Sequence, residues 1–289
     1  MMRVRFWGVR GSIASAGPYT AEVGGNTSCV EVRCGDASGA ETLIVFDAGT
    51  GLRLLGESLR GPVRAHLFLS HLHWDHIQGF PFFAPAYAPG NRIELYAPER
   101  CAADGDVRAA LAAQMRPPHF PVGLEAMRAE LHFQPIAAGA EVRVGAARVR
   151  AAAARHPNGC LAYRVSAGGR SLVYATDTEH DPAGGLDGEL LELARGADLL
   201  VYDAQYTTEE YAGKRGWGHS TAAEGARLAR AAGVGRLVLF HHDPAHDDGQ
   251  VARIEAATRA LFPATSAARE GATVTLAEGP GQPADRSVA

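Results

Sequence analysis

Lysine is nearly missing from this chain. Lys214 is the only one among 28 basic side chains, so arginine supplies almost all the positive charge. With the abundant alanine, that bias is what a GC-rich genome produces. The net charge is −4, which argues against broad nonspecific nucleic-acid binding and leaves a small phosphate ester open as substrate. Cysteine is sparse too: Cys29, Cys34, Cys101 and Cys160 form no CxxC pair. A thiolate zinc site is therefore not expected, and scattered cysteines suit a reducing compartment. No apolar run approaches membrane-span length. The opening Met1-Met2-Arg3-Val4-Arg5-Phe6-Trp7 is too short and too charged for an export signal. A cytoplasmic protein with no membrane partner is the expectation.

What is present is ordinary in bulk and unusual at one place. An apolar content of 46% and a charged content of 21% over 289 residues fit a globular protein with a sizeable core, in one large domain or two small ones. The unusual place is Ser70-His71-Leu72-His73-Trp74-Asp75-His76, where four potential metal ligands fall within six residues. Residues 65–69 just before it are mostly apolar and read as a buried strand. The cluster thus sits where a strand ends, a usual position for a site in an α/β layered fold. Alternate residues point the same way, so His71 and His73 pair, while Asp75 and His76 turn toward a second point. That spacing suits two metal ions better than one. Without a metal, three histidines and an aspartate packed together would be poorly satisfied and would repel when protonated.

The stretch resembles the HxHxDH signature of the metallo-β-lactamase-fold hydrolases, and later segments follow that superfamily in order over nearly the whole chain. The likeness is to its phosphodiesterase-like branch, which includes RNase Z and the phosphoribosyl cyclic phosphodiesterases. It implies a four-layer αββα sandwich of two halves, near residues 1–140 and 141–289, with metals at one edge. The residues alone support only mixed α and β. A single domain spanning 1–289 is expected, with an insertion at about 80–140 near the mouth of the site.

The other motifs are strand ends. Gly24-Gly25-Asn26-Thr27-Ser28 reads either as a hairpin turn or as the small-residue turn the superfamily sets near its metals. Residues 42–46 read as a strand closing in Asp47-Ala48-Gly49-Thr50-Gly51. By the resemblance Asp47 supports the histidine loop through a hydrogen bond; it also suits the cap of a helix starting near Leu52. Residues 80–98 read as an irregular wall, 106–115 and 123–130 as helices, and His119 and Arg116 either as plain loop residues or as groups in reach of substrate. His156 follows paired strands within 141–153 and matches the third motif. Residues 170–175 read as a strand leading to Asp177, which the resemblance makes the carboxylate bridging both metals. Glu179 and His180 beside it lie near substrate or in solvent. Asp203 ends a strand at 197–202. His219 precedes Thr221 and Glu224, a capping-box pattern opening a helix to Ala232. The resemblance pairs His219 with Asp203 for phosphodiester cleavage. Residues 236–240 form a last core strand before His241-His242-Asp243-Pro244-Ala245-His246. His241 is the fifth-motif ligand by order, His242 the competing assignment, and His246 faces substrate or solvent. A helix follows to Phe262, then a closing strand at 272–276 and a frayed tail from Gly279.

The resemblance therefore implies His71, His73 and His156 around one metal, Asp75, His76 and His241 around the other, and Asp177 between them. Nitrogen and carboxylate ligands suit two divalent ions, zinc first, with manganese or iron also fitting. Asp75 helps orient the nucleophile and His219 acts on the leaving group. The expected reaction is hydrolysis of a small cyclic or nucleotide phosphodiester. The alternatives are an RNase Z-like tRNA endonuclease, for which no lysine- and glycine-rich arm is found, and a lactonase or thioesterase on the same fold. A homodimer is expected by the habit of the superfamily.

Overall fold

The computed structural model describes residues 1–35, 39–100, 106–181 and 183–277. Cys101 and the tail from Gly279 lie outside the described residues. In chain order, the first strands are β1 (Met2–Gly8), β2 (Cys29–Gly35), β3 (Glu41–Phe46), β4 (Arg64–Phe68), β5 (Arg92–Pro98) and β6 (Glu130–Ile136). Then come β7 (Glu141–Val144), β8 (Ala147–Ala154), β9 (Cys160–Ala167), β10 (Arg170–Ala175), β11 (Leu199–Asp203), β12 (Leu237–Phe240), β13 (Thr265–Ala267) and β14 (Thr273–Leu276). They form two seven-stranded sheets, ordered β14-β1-β2-β3-β4-β5-β6 and β13-β12-β11-β10-β9-β8-β7. The expected halves correspond to the sheets, except that β14 returns from the second half to pair with β1.

The sheets pack face to face because each turns alternate apolar residues inward. Phe6, Phe46, Phe68, Tyr163, Tyr174 and Phe240 meet between them, all buried. Phe46 stacks on Tyr174 with ring centroids 5.0 Å apart. Each such ring contributes about 1.5–3 kcal/mol on leaving water. Helix α1 (Gly51–Ser58) buries Leu52 and Leu55 against the outside of the first sheet. Helices α4 (Gly188–Ala194) and α5 (Ala222–Ala232) bury Leu190, Leu193 and Leu228 outside the second. The four layers are therefore helix, sheet, sheet, helix, as the resemblance implied.

Three readings change. Residues 92–98, expected in an irregular wall, are the buried strand β5, parallel to both neighbours. Residues 123–130 are not a helix; a single turn at Leu124–Ala126 leads into β6, the sheet edge. Much of the expected insertion is thus sheet, and the segments outside it are 80–91 and 106–129, the latter holding α3 (Val107–Ala113). The Thr221 hydroxyl does accept from the Glu224 N–H at 3.2 Å, but Glu224 turns its carboxylate to Arg227 rather than back to the cap.

In the first sheet β3, β4, β5 and β6 run parallel, and in the second β10 to β13 do. Parallel strands put all their carboxyl ends at one edge, where side chains from both sheets can meet.

Candidate metal centre

The sequence-predicted ligands come together at that edge. Asp47 follows β3, and the histidine stretch follows β4, continuing into the short helix α2 (Trp74–Ile77). His156 follows β8, Asp177 follows β10, and His241 follows β12. His76 Nε2 lies 3.2 Å from His241 Nε2, from Asp75 Oδ2 and from Asp177 Oδ1. His241 Nε2 is likewise 3.2 Å from both carboxylates. On the other side, His73 Nδ1 is 3.1 Å from His156 Nε2, and Asp177 Oδ2 is 3.7 Å from both His71 Nε2 and His156 Nε2. Asp177 thus turns one oxygen to each cluster. Both clusters are of the kind that can hold a metal ion.

The outer nitrogens decide what the inner ones are. His76 Nδ1 donates to Asp47 Oδ2 at 2.8 Å, His241 Nδ1 to Gln205 Oε1 at 2.8 Å, and His156 Nδ1 to the Gly218 carbonyl at 2.8 Å. Ser70 donates its hydroxyl to Asp47, so it accepts from His71 Nδ1 at 3.0 Å. Each neutral imidazole therefore aims a bare lone pair inward. Lone pairs meeting lone pairs and carboxylates need a cation between them. His71 Nε2, buried with no hydrogen-bond partner, points the same way. Atoms around a zinc-sized ion at about 2.0 Å stand roughly 3.3 Å from one another in a tetrahedron, close to the separations here. Without an ion, a proton takes its place. Burial opposes charge on His76, but the carboxylates of Asp177, Asp75 and Asp47 hold its pKa well above the ordinary value. Burial and the charge on His76 push His71 well below it. For Asp177, burial is outweighed by His241, His76 and His71, and the carboxyl stays well below the usual range.

His219 stands beside the ligands. Its Nδ1 lies 2.9 Å from Asp203 Oδ2 and 3.8 Å from Asp177 Oδ2. Burial works against its charge, yet the Asp203 carboxylate, with Asp177 and Asp75 behind it, raises the pKa to about 9.

The remaining candidates separate. His241 enters the cluster and His242 does not. His242 donates from Nε2 to the Ala268 carbonyl, 3.1 Å away, and burial and nearby Arg10 lower its pKa to about 3. Glu179 neither faces solvent nor joins the ligands; it accepts from the Tyr211 hydroxyl and from the Gly216 and Gly218 N–H groups at 2.7, 2.8 and 3.0 Å. It therefore fixes the loop that carries Gly218 and His219. His180 pairs with Ser220, and buried His246 with Glu210. Arg116 and His119 are exposed. Groups the sequence reading passed over are Gln205, Ser70, Tyr174, whose hydroxyl donates to Asp47 at 2.7 Å, and Ser12, whose N–H donates to Asp75 at 2.8 Å. Gln205 was findable, since it stands at a strand end like the ligands.

The backbone is shaped for this purpose. Among the described residues, the non-glycine positions with positive φ are Ser12, Asp47, Asn158, Asp177 and His241, and all belong to the site or adjoin it. Such left-handed turns cost of order 1–3 kcal/mol each and persist only where surroundings enforce them. Gly11 adds a steric requirement: a Cβ there would lie 2.4 Å from the His241 ring. Gly11→Ala is expected to weaken metal affinity on the His241 side about 10- to 100-fold by displacing the ring. Competition with a chelator measures this, and unchanged affinity would mean the ring has room to move.

Comparison with known proteins gives the family and the fold. A family model described as a beta-lactamase superfamily domain matches residues 42–242, from β3 to His242. A curated relative, ribonuclease Z of Brevibacillus brevis, is 29% identical over 287 residues, covering 80% of this chain and 86% of its own. Among solved structures, the metallo-beta-lactamase fold protein YhfI from Bacillus subtilis superposes with a TM-score of 0.70 at 18% identity, over 94% of this chain and 98% of its own. A diphosphatase from the PhnP family gives 0.67 at 17% identity, over 96% and 98%. The cluster of strand-end histidines and aspartates, the two facing sheets and the match across both place the chain in the beta-lactamase superfamily, as a hydrolase of the metallo-β-lactamase fold.

Proposed function

We propose that this single domain is a phosphodiesterase with a two-ion centre acting on a small cyclic or nucleotide phosphodiester. The observation that carries the reading is His219, held by Asp203 at 2.9 Å beside the shared Asp177 carboxylate. His71, His73 and His156 would hold one ion and Asp75, His76 and His241 the other, with Asp177 serving both. The all-nitrogen-and-oxygen donor set suits zinc, and manganese or iron as well. Two such ions lower the pKa of water toward neutrality and neutralise charge growing on a phosphoryl group. Asp75, fixed by the Ser12 N–H, orients the attacking water. His219 gives its proton to the departing oxygen, and Asp203 keeps the imidazole charged and aimed. Asp47 acts one step back, through His76 and Ser70.

A second reading, an RNA endonuclease, is favoured by the curated relative named ribonuclease Z. That relative also counts against the expectation, drawn from net charge, of no broad nucleic-acid binding.

The test is metal content followed by turnover of bis(p-nitrophenyl) phosphate. About two ions per chain with diester hydrolysis that chelation removes and zinc or manganese restores is the expected result. Two ions without diester hydrolysis would redirect the assignment to lactones and thioesters. No bound metal after reloading would overturn the centre itself.

A further inference from the structure

Two of the three tryptophans stand open beside the cluster. Trp74, next to Asp75, is 76% exposed, and Trp217, next to Gly218 and His219, is 57% exposed. An indole open to water beside a polar site offers a flat face on which a planar ring can stack. The third, Trp7, is buried, with its Nε1–H on Glu31 at 2.7 Å.

The chain's only lysine lies against one of the exposed pair. Lys214 Nζ sits 4.1 Å from the Trp217 ring centroid and 5.9 Å from that of Tyr206. The Tyr206 ring is in turn 5.9 Å from the His219 ring. The ammonium is thus two ring contacts from the metal cluster. It makes no ion pair with a carboxylate among the described residues. With one face of Trp217 under the ammonium, the rest of the exposed indole faces water. Glu179, accepting from the N–H groups of Gly216 and Gly218, holds this loop in place before any ligand arrives.

We propose that the loop from Lys214 to Trp217 is a nucleotide subsite, with the base stacked on Trp217 and a phosphate taken by Lys214. The proposal rests on the diester reading above and specifies its substrate class. An indole selects a planar ring and an unpaired ammonium selects an anion; a nucleotide joins the two in one molecule. A lactone or an acyl thioester chain offers neither, and a base-free sugar phosphate offers only the anion.

The experiment uses zinc-loaded protein titrated with AMP and with ribose 5-phosphate. In a Trp74→Phe background Trp217 is the exposed fluorophore. AMP is expected to quench it saturably and ribose 5-phosphate to leave it unchanged. By calorimetry, Trp217→Ala is expected to weaken AMP by about 5- to 150-fold and ribose 5-phosphate by less than about twofold. Lys214→Ala is expected to weaken both. A short oligoadenylate that displaces AMP would assign the base to a chain end, and one that fails to would assign it to a free nucleotide; each supports the subsite. Equal affinity for AMP and ribose 5-phosphate, equal losses for both in Trp217→Ala, or no AMP binding at millimolar concentration would overturn it. Binding is read apart from turnover. Diester hydrolysis without base preference sinks this inference alone, and base-selective binding without hydrolysis sinks the diester reading alone.

Discussion

Asp177→Asn is expected to reduce bound metal to one ion or fewer per chain and to lower diester turnover at least about 10³-fold, roughly 4 kcal/mol of transition-state stabilisation. The reason is its two-sided position. Oδ1 stands 3.2 Å from His76 and His241, and Oδ2 stands 3.7 Å from His71 and His156. An amide keeps the shape but loses the charge and one of the two acceptors. The positive φ of Asp177 is tolerated by asparagine, so the turn survives the change. Elemental analysis and turnover on the same preparation check it. Two ions retained, with turnover within about tenfold of the native protein, would remove Asp177 from its place between the metals.

His219→Ala should show its effect through the leaving group. With an alkyl diester, whose alkoxide departs poorly, turnover is expected to drop about 10²- to 10⁴-fold. With a p-nitrophenyl diester, whose phenolate leaves without help, the drop should be far smaller. Equal losses on both substrates would mean that His219 shapes the site rather than donating a proton. Asp203→Asn refines the point. Asp203 raises the His219 pKa to about 9 against the effect of burial. A raised pKa keeps the acid form present through neutral pH and loses it as pH climbs toward that value. Without the carboxylate, the alkaline limb of the pH–rate profile should move to lower pH, and an unmoved limb would assign it to another group.

What the sequence disclosed depended on chain locality. The stretch from His71 to His76 is compact, and each remaining ligand follows an apolar strand, so strand ends led to them one by one. The strand β5 was hidden because it lies between Pro89-Gly90 and its own Pro98, punctuation that reads as loop. β6 was hidden because, as an edge strand, six of its seven residues are only partly buried or exposed, leaving no apolar run to recognise. The orienting groups escaped for a different reason. Tyr174 reaches Asp47 across 127 residues, and Ser12 reaches Asp75 across 63. No local pattern encodes such a meeting. The choice between His241 and His242 was of the same kind: a one-residue slip at a strand end exchanges them, and the left-handed turn at His241 settles which ring faces inward.

The return of β14 to β1 bears on how the chain is made. Emerging from the ribosome in order, the first half can assemble β1 through β6, yet one edge of β1 stays bare until residues 273–276 appear, after every strand of the second sheet. An unpaired edge is a template for another chain's backbone. Pairing with β14 therefore takes from β1 an edge that a neighbouring nascent chain could otherwise use.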